Sequence, residues 1–335
     1  VKKVSVIILN WNGTHLLRKY LPSVVEYTTL EVADVVVADN GSTDESLHVV
    51  EAEFPTVKTI PLAQNYGFAE GYNRAIAAVD TPYVILLNDD VAVSPGWLEP
   101  LLDFMETHPE CGACQPKLLS DRDRTKFEYA GAAGGYLDSL GYPFCRGRIF
   151  ATTEIDRGQY DTPAEIHWAS GACLMIRRDL YREAGGLDAR FFAHMEEIDL
   201  CWRIRRMGYS IYCRPDSVVY HFGGASLAMG DPRKTKLNFR NSLLMLWKNL
   251  PRHRRQGLIF RRMLLDGVAA LNFLLHGEWN QVKAIRQAHR EYKDMRDKYY
   301  QSDDSAEKGV AELCDFSILF KYYIQRKIKF SELNL

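Results

Sequence analysis

The chain has 335 residues, of which 47% are hydrophobic and 25% charged, with a formal net charge of −1. That length suits one large domain with an appendage, or two domains, and the composition is ordinary for a globular protein. A charge this close to neutral supplies no global basic field, so nucleic acid is not an expected partner.

Residues 4–9 are short, apolar and β-branched, and read as a buried strand. They are too short to serve as a secretory signal core followed by a cleavage site. The strand stops at the turn signal Asn10-Trp11-Asn12-Gly13. Leu17, Leu21, Val24 and Val25 then recur at helical spacing. Residues 35–38 form a second buried strand, ending at Asp39-Asn40-Gly41. Ser42-Thr43-Asp44-Glu45 fits a capping box for a helix with Leu47, Val50 and Phe54 on one face. Tyr72, Ala75, Ile76 and Val79 give another helical stripe. Residues 83–87 are a third buried strand, ending at Asn88-Asp89-Asp90. Strands alternating with helices predict βαβ units and a parallel sheet. Ligands of such sheets bind at the carboxyl ends of the strands, where Asn10, Asp39 and Asp89-Asp90 converge.

Beyond residue 110 the pattern is less regular. Cys111-x-x-Cys114 is the closest cysteine pair, and without a second pair it reads as two small residues of a buried strand. The odd total of seven cysteines fits reduced thiols in a cytosolic protein. Residues 129–147 read as a Gly- and Tyr-rich loop with short strands, and 172–176 as a strand. Asp179 is positioned to cap a short helix stopping at Gly185-Gly186. A helix over 196–207 stops at Gly208, and residues 217–220 form a last strand ending at His221. From about Lys234 the spacing becomes helical throughout. The polar run 301–307 reads as a mobile linker, and 313–328 as one more helix. The expected division is therefore a catalytic domain over 1–232 (halves 1–110 and 111–232), a helical region over 233–300, and a linker with a terminal helix over 301–335.

Four groups carry chemistry. Asp89 and Asp90 after a buried strand are costly unless solvated, paired or metal-bound, and their hard oxygens suit Mg²⁺ or Mn²⁺; a polar turn is the plainer reading. His221 closes an apolar strand and is either a metal ligand or a satisfied structural histidine. Glu196, Glu197 and Asp199 crowd the start of a helix. They either complement the macrodipole or include a carboxylate of raised pKa acting as general base. Asp39 can accept hydrogen bonds from a base or ribose. No G-x-G-x-x-G follows the first strand and no G-x-x-x-x-G-K-[ST] occurs, which weighs against a dinucleotide enzyme or a P-loop NTPase.

The ordered set resembles the family 2 glycosyltransferases, in particular a bacterial rhamnosyltransferase-like branch. Its parts are the stretch from Ser5 through Asn10-Trp11-Asn12-Gly13, then Ala38-Asp39-Asn40-Gly41-Ser42, then Asn65-Tyr66-Gly67-Phe68-Ala69-Glu70-Gly71-Tyr72-Asn73. Leu87-Asn88-Asp89-Asp90 follows, then Ser170-Gly171-Ala172, Phe191-Phe192 through Glu196-Glu197-Ile198-Asp199, and Tyr220-His221. The resemblance covers roughly residues 4–250.

It implies a GT-A fold, with a mixed, mainly parallel sheet flanked by helices and a C-terminal helical appendage. It also implies an inverting, metal-dependent transfer from a UDP- or dTDP-sugar to a glycan or lipid-linked acceptor in cell-surface polysaccharide synthesis. By resemblance, Asn10, Trp11, Asn12, Asp39, Asn65, Gly67, Asn73 and Asp89 line the nucleotide. Asp90 and His221 bind the divalent cation, and Glu197, Glu196 and Asp199 form the catalytic acidic cluster. The usual aspartate of the acidic pair is Glu197 here, which leaves open whether Glu196 or Glu197 takes the proton. On the acceptor side stand Gly171 and Trp168, the latter equally readable as a core residue. A nucleotide-sugar-forming nucleotidyltransferase and a non-catalytic nucleotide-sugar binder are the competing classes.

No segment reaches the length needed to span a bilayer. Arg252-His253-Arg254-Arg255 and Arg261-Arg262 flank the apolar run 263–275. Such a helix either lies in an anionic membrane interface or packs on the catalytic domain. A cytoplasmic protein at the inner face of the membrane is the expected setting.

Overall fold

A computed structural model describes residues 2–223, 230–300, 313–333 and 335. In chain order the elements are β1 (Val4–Asn10), α1 (Thr14–Tyr27), β2 (Ala33–Asp39), α2 (Ser46–Glu53), β3 (Lys58–Pro61), α3 (Gly67–Ala77), β4 (Tyr83–Asn88), β5 (Val91–Val93), α4 (Glu99–Thr107) and β6 (Cys111–Ser120). A run of short strands follows, β7 (Gly135–Leu137), β8 (Pro143–Cys145), β9 (Arg148–Ile149), β10 (Thr152–Thr153) and β11 (Ala164–Ile166). Then come β12 (Cys173–Arg177), α5 (Arg178–Glu183), α6 (Glu196–Arg206), β13 (Ser210–His221), α7 (Pro232–Asn249), α8 (Arg252–Leu275) and α9 (Trp279–Tyr299).

The main sheet has nine strands in the order β11-β13-β6-β12-β4-β1-β2-β3, with β5 pairing β13 off this path. Strands β4, β1, β2 and β3 run parallel, while β12 is antiparallel to both β4 and β6. The sheet is thus mixed and mainly parallel, as expected. Two hydrophobic cores lie on its faces. One joins α1 and α4 to the sheet through Leu17, Leu21, Leu101 and Met105. The other joins α3, α5, α6 and α7 through Tyr72, Leu180, Ile204 and Leu243. Helix α7 is therefore part of the main core, and α8 and α9 join it through Ile259 and Tyr292. The strands β7 to β10 form a separate four-stranded sheet.

Several local expectations are corrected. The capping box does not form: α2 starts at Ser46 with no side-chain cap. Asp44 instead accepts from Ser46 Oγ (2.5 Å) and, across to α1, from Thr14 N (3.1 Å). Burial raises the Asp44 pKa, but the hydrogen bonds from Ser46 and Thr14 outweigh it and hold the carboxyl at about 2. Asp179 lies inside α5 and caps nothing. The last strand begins at Ser210, seven residues early, because a register shift between Arg214 and Val218 accommodates Pro215; a proline inside a strand otherwise signals its end. The tail is no regular helix. A π-turn over Phe320–Ile324 and Ile318 pack against Phe144 and Ile149 of the small sheet. The expected linker lies outside the described residues. All seven cysteines are buried and free, and Cys111 and Cys114 are residues of β6.

Candidate active site

The parallel register aligns Asn10 with Asp39, and Leu9 with Asn88, so the polar strand ends share one rim. Asn10 and Asp39 are both buried. Asn10 Nδ2 donates to Asp39 Oδ1 (3.0 Å), and Asp39 Oδ2 accepts from Ser42 N (2.9 Å). Asn10 Oδ1 is left without a partner. Asn12, at φ +52°, ties the two loops together by accepting from Thr43 N (2.7 Å). Between them Trp11 stands 53% exposed, an indole face open to the rim. Gly13 leaves room for two side-chain ends here: a Cβ on it would lie 2.8 Å from Asp89 Oδ2 and would also strike Asn10 Oδ1. That contact places Asp89 beside Asn10. Burial, together with the adjacent Asp90, pushes the Asp89 carboxyl up to about 7.

Asp90 is brought to His221 by the pairing of β5 with β13, in which His221 faces Val91. His221 Nε2 lies 3.0 Å from Asp90 Oδ1, and Asp90 Oδ2 accepts from Gly223 N (3.1 Å). On its other side His221 Nδ1 is 3.3 Å from Glu128 Oε1, a buried carboxylate that the sequence did not flag. Burial lowers the His221 pKa, but the two carboxylates outweigh it and raise it to about 10.

The acidic cluster is divided by the structure. Glu197 sits beside the rim: a Cβ on Gly171 would be 3.7 Å from Glu197 Cβ and 3.3 Å from the Phe68 ring. The next residue, Ala172, accepts from Asn88 N (3.0 Å). Glu197 Oε2 and Glu196 Oε2 are both buried without a partner. Burial pushes Glu197 up to about 7, and burial plus the Glu197 charge pushes Glu196 well above the carboxylate range. Asp199 is different. It is fully buried and bound to Lys248 (2.8 Å), Arg203 (2.9 Å) and Asn249 (2.8 Å). Its expected catalytic place is corrected to that of a structural ion pair.

Two further expectations are corrected. Trp168 is 3% exposed and donates from Nε1 to Tyr136 O (3.0 Å), so it is a core residue with no face for a sugar. Asn73 spends its amide on Leu187 O (2.8 Å), Leu187 N (3.0 Å) and Tyr181 OH (2.6 Å), which ties the 185–187 loop to α3 and leaves the amide no free group for a nucleotide. Asn65 Oδ1 accepts from Gly67 N (2.8 Å) and Asn40 Nδ2 (3.1 Å), building the turn into α3. Gly67, at φ +78°, lies under the Phe192 ring, 2.6 Å from where its Cβ would be; its role is close packing.

The family model for glycosyl transferase family 2 matches residues 5–185. An N-acetylglucosaminyl-diphospho-decaprenol L-rhamnosyltransferase of Mycobacterium tuberculosis is 32% identical over 235 residues, covering 65% of this chain and 76% of that protein. A low-salt glycan biosynthesis hexosyltransferase of Haloferax volcanii is 23% identical, covering 72% and 74%. Among solved structures, GalNAc-T7 with UDP, GalNAc and Mn²⁺ superposes with a TM-score of 0.56 at 19% identity, over 69% of this chain and 45% of that one. The mannosyltransferase PcManGT of Pyrobaculum calidifontis, in complex with GDP-Man and Mn²⁺, superposes at 0.52 and 15% identity over 90% and 89%.

Proposed function

The chain belongs to glycosyl transferase family 2 and is a glycosyltransferase of GT-A fold, and from that premise we propose that it moves a sugar, with inversion, from a nucleoside-diphosphate donor to a lipid-linked glycan, with Glu197 as general base. The observation that carries this is the Glu197 carboxylate: buried at the rim, one oxygen without a partner, and held near pH 7. A base of that pKa is half ionised at neutral pH, where proton transfer is most efficient. Glu197 takes the proton from the acceptor hydroxyl as its oxygen attacks the anomeric carbon. The diphosphate leaves from the opposite face, through an oxocarbenium-like transition state. Glu196, pushed higher, stays protonated and neutral, so a single charge occupies the pair.

Asn10, Asp39 and the Trp11 indole would receive the nucleoside, with Asp89 nearer the ribose or sugar. Asp90 and His221 would hold a divalent cation once His221 has given up the proton that Asp90 and Glu128 favour on it: a carboxylate oxygen and an imidazole nitrogen facing each other at 3.0 Å suit Mn²⁺ or Mg²⁺. Among the described residues no three acidic, His or Cys side chains are arranged to enclose an ion, so donor phosphate oxygens and water would complete its shell. When bound, the cation supplies Lewis-acid stabilisation of the departing diphosphate. Division of the chain into a donor half (1–110) and an acceptor half (111–232) belongs to the same proposal. The M. tuberculosis relative's name supports dTDP-rhamnose and a diphospholipid-linked GlcNAc as the pair to try first. Incubation with sugar-labelled dTDP-rhamnose and that lipid should move the label into the lipid fraction; label that stays on the nucleotide would remove this donor and acceptor.

A lipid-linked acceptor calls for access to a membrane surface. Among the described residues no helix is long and apolar enough to cross one. Helix α8 instead carries an exposed apolar stripe of Phe260, Leu264, Val268, Leu271 and Leu275, at steps of three and four residues. Arg254 and Arg261 are exposed beside it. We propose that this stripe lies in the interface of an anionic leaflet. Flotation with phosphatidylglycerol-containing vesicles should carry the wild type upward and leave Leu264→Ser/Val268→Ser at the bottom. Equal behaviour of the two would count against the stripe.

A further inference from the structure

Three non-glycine residues within four positions have positive φ: Phe192 (67°), His194 (71°) and Met195 (72°). Phe192 combines this with ψ −59°, the strained form of the γ-turn. Such a conformation is costly for a residue that carries a side chain and persists only where its surroundings over-determine it. This segment leads directly into Glu196 and Glu197.

Its carbonyls up to His194 are engaged from outside, and that of Met195 accepts from Asp199 N (2.9 Å) in the following helix. Phe192 O accepts from Phe68 N (3.0 Å) and Ala69 N (3.4 Å) at the start of α3. The carbonyls of Ala193 and His194, with that of Phe191 just before, surround one nitrogen, Asn241 Nδ2, at 2.9, 2.8 and 3.0 Å, and share its two hydrogens. Arg240 donates to Phe191 O (3.0 Å) and, through Nε, to Asn241 Oδ1 (2.9 Å). Among neutral side chains an amide nitrogen suits several carbonyls at once, so the orientation of the Asn241 amide is set by its partners. Asn241 is fully buried, one turn from Leu237 and Leu244 on α7. An amide among leucines is costly unless its bonds are made, and here they are made to this loop.

We infer that Asn241, with Arg240 behind it, is the positioning residue that clamps the 192–195 loop and so sets where the Glu197 carboxylate stands against the donor. The inference rests on Glu197 being the base. It also gives α7, which lies beyond the residues 5–185 matched by the family model, a place in the reaction.

Asn241→Leu is close in volume and cannot donate. It should lower kcat on the order of 10²-fold, the cost of a small misplacement of a reacting group, with nucleotide binding unchanged. Water reaching the loosened loop should also move the acidic limb of the kcat–pH profile to lower pH. A folded Asn241→Leu with wild-type kcat, or one in which kcat and nucleotide binding fall together, would overturn the clamp. Should Asn241→Leu fail to fold, Asn241→Ala, which likewise cannot donate, is measured by the same criteria. Glu197→Gln run in parallel separates the two claims. An active Glu197→Gln removes the base assignment, whereas an inactive one beside a fully active Asn241→Leu removes only the clamp.

Discussion

Glu197→Gln is expected to lower kcat by on the order of 10²–10⁴-fold, the usual contribution of a general base, with nucleotide affinity little changed. Glutamine keeps the shape and loses the proton acceptor. The residues proposed for the nucleoside, Asn10, Trp11 and Asp39, stand on other strand ends and are untouched. Glu196→Gln should be far milder, since burial already holds Glu196 neutral. The pH dependence has a definite sign. The base works ionised, and burial puts its pKa at about 7, so wild-type kcat should rise with pH through that value and then level off. Stability should run the other way. Between the ordinary carboxylate pKa and about 7 the folded state binds the extra proton, so stability falls as pH rises through that window. Glu197→Gln should therefore be the more stable protein at pH 8, a trade of stability against function. Denaturant melts at pH 6 and pH 8 beside the kcat profile check both; a Glu197→Gln enzyme with near-wild-type kcat would end the assignment.

Lys248→Met is expected to destabilise the fold by about 3 kcal/mol or more, the cost of removing one partner from a buried ion pair. Lys248 Nζ joins Asp188 (2.7 Å) to Asp199 (2.8 Å), and both carboxylates are nearly or fully buried. Burial alone would raise both carboxyl pKa values; Lys248 is the leading cause that holds them below the usual range. The network ties α6 to α7, so its loss should also loosen the acidic cluster. By contrast Arg18→Met, which breaks a half-exposed pair with Glu53, should cost under about 1 kcal/mol. Equilibrium unfolding of the two variants decides it: similar small losses would mean that Arg203 and Asn249 suffice for Asp199.

The rim was legible in the sequence because its physics is local. Buried β-branched runs that stop at Asn10, Asp39 and Asn88 fix strand ends, and parallel strands bring their ends together. The pairing of Asp90 with His221 was legible only through the family resemblance, since 131 residues separate them and the β5–β13 pairing that joins them leaves no periodic signal. Asp199 and Trp168 each kept two readings open in the sequence for one reason. Charge and aromaticity mark a residue as costly to bury, but only the fold shows that Lys248 or the Tyr136 carbonyl already meets the cost. Glu128 lies in an irregular stretch with no pattern to mark it. Asn241 did leave a trace, a polar residue on the apolar stripe between Leu237 and Leu244. The strain at Phe192, His194 and Met195 left none, because none of them is the glycine that usually announces a positive φ.

The proposed metal-dependent nucleoside-diphosphate site rests on Asp90 at the rim. Calorimetric titration with UDP, dTDP and GDP, each with Mn²⁺ and then with EDTA, on wild type and Asp90→Ala tests it most directly. At least one nucleotide should bind wild type with Mn²⁺, and this binding should be lost in EDTA and in Asp90→Ala. Binding of equal strength in EDTA, or in Asp90→Ala, would contradict it.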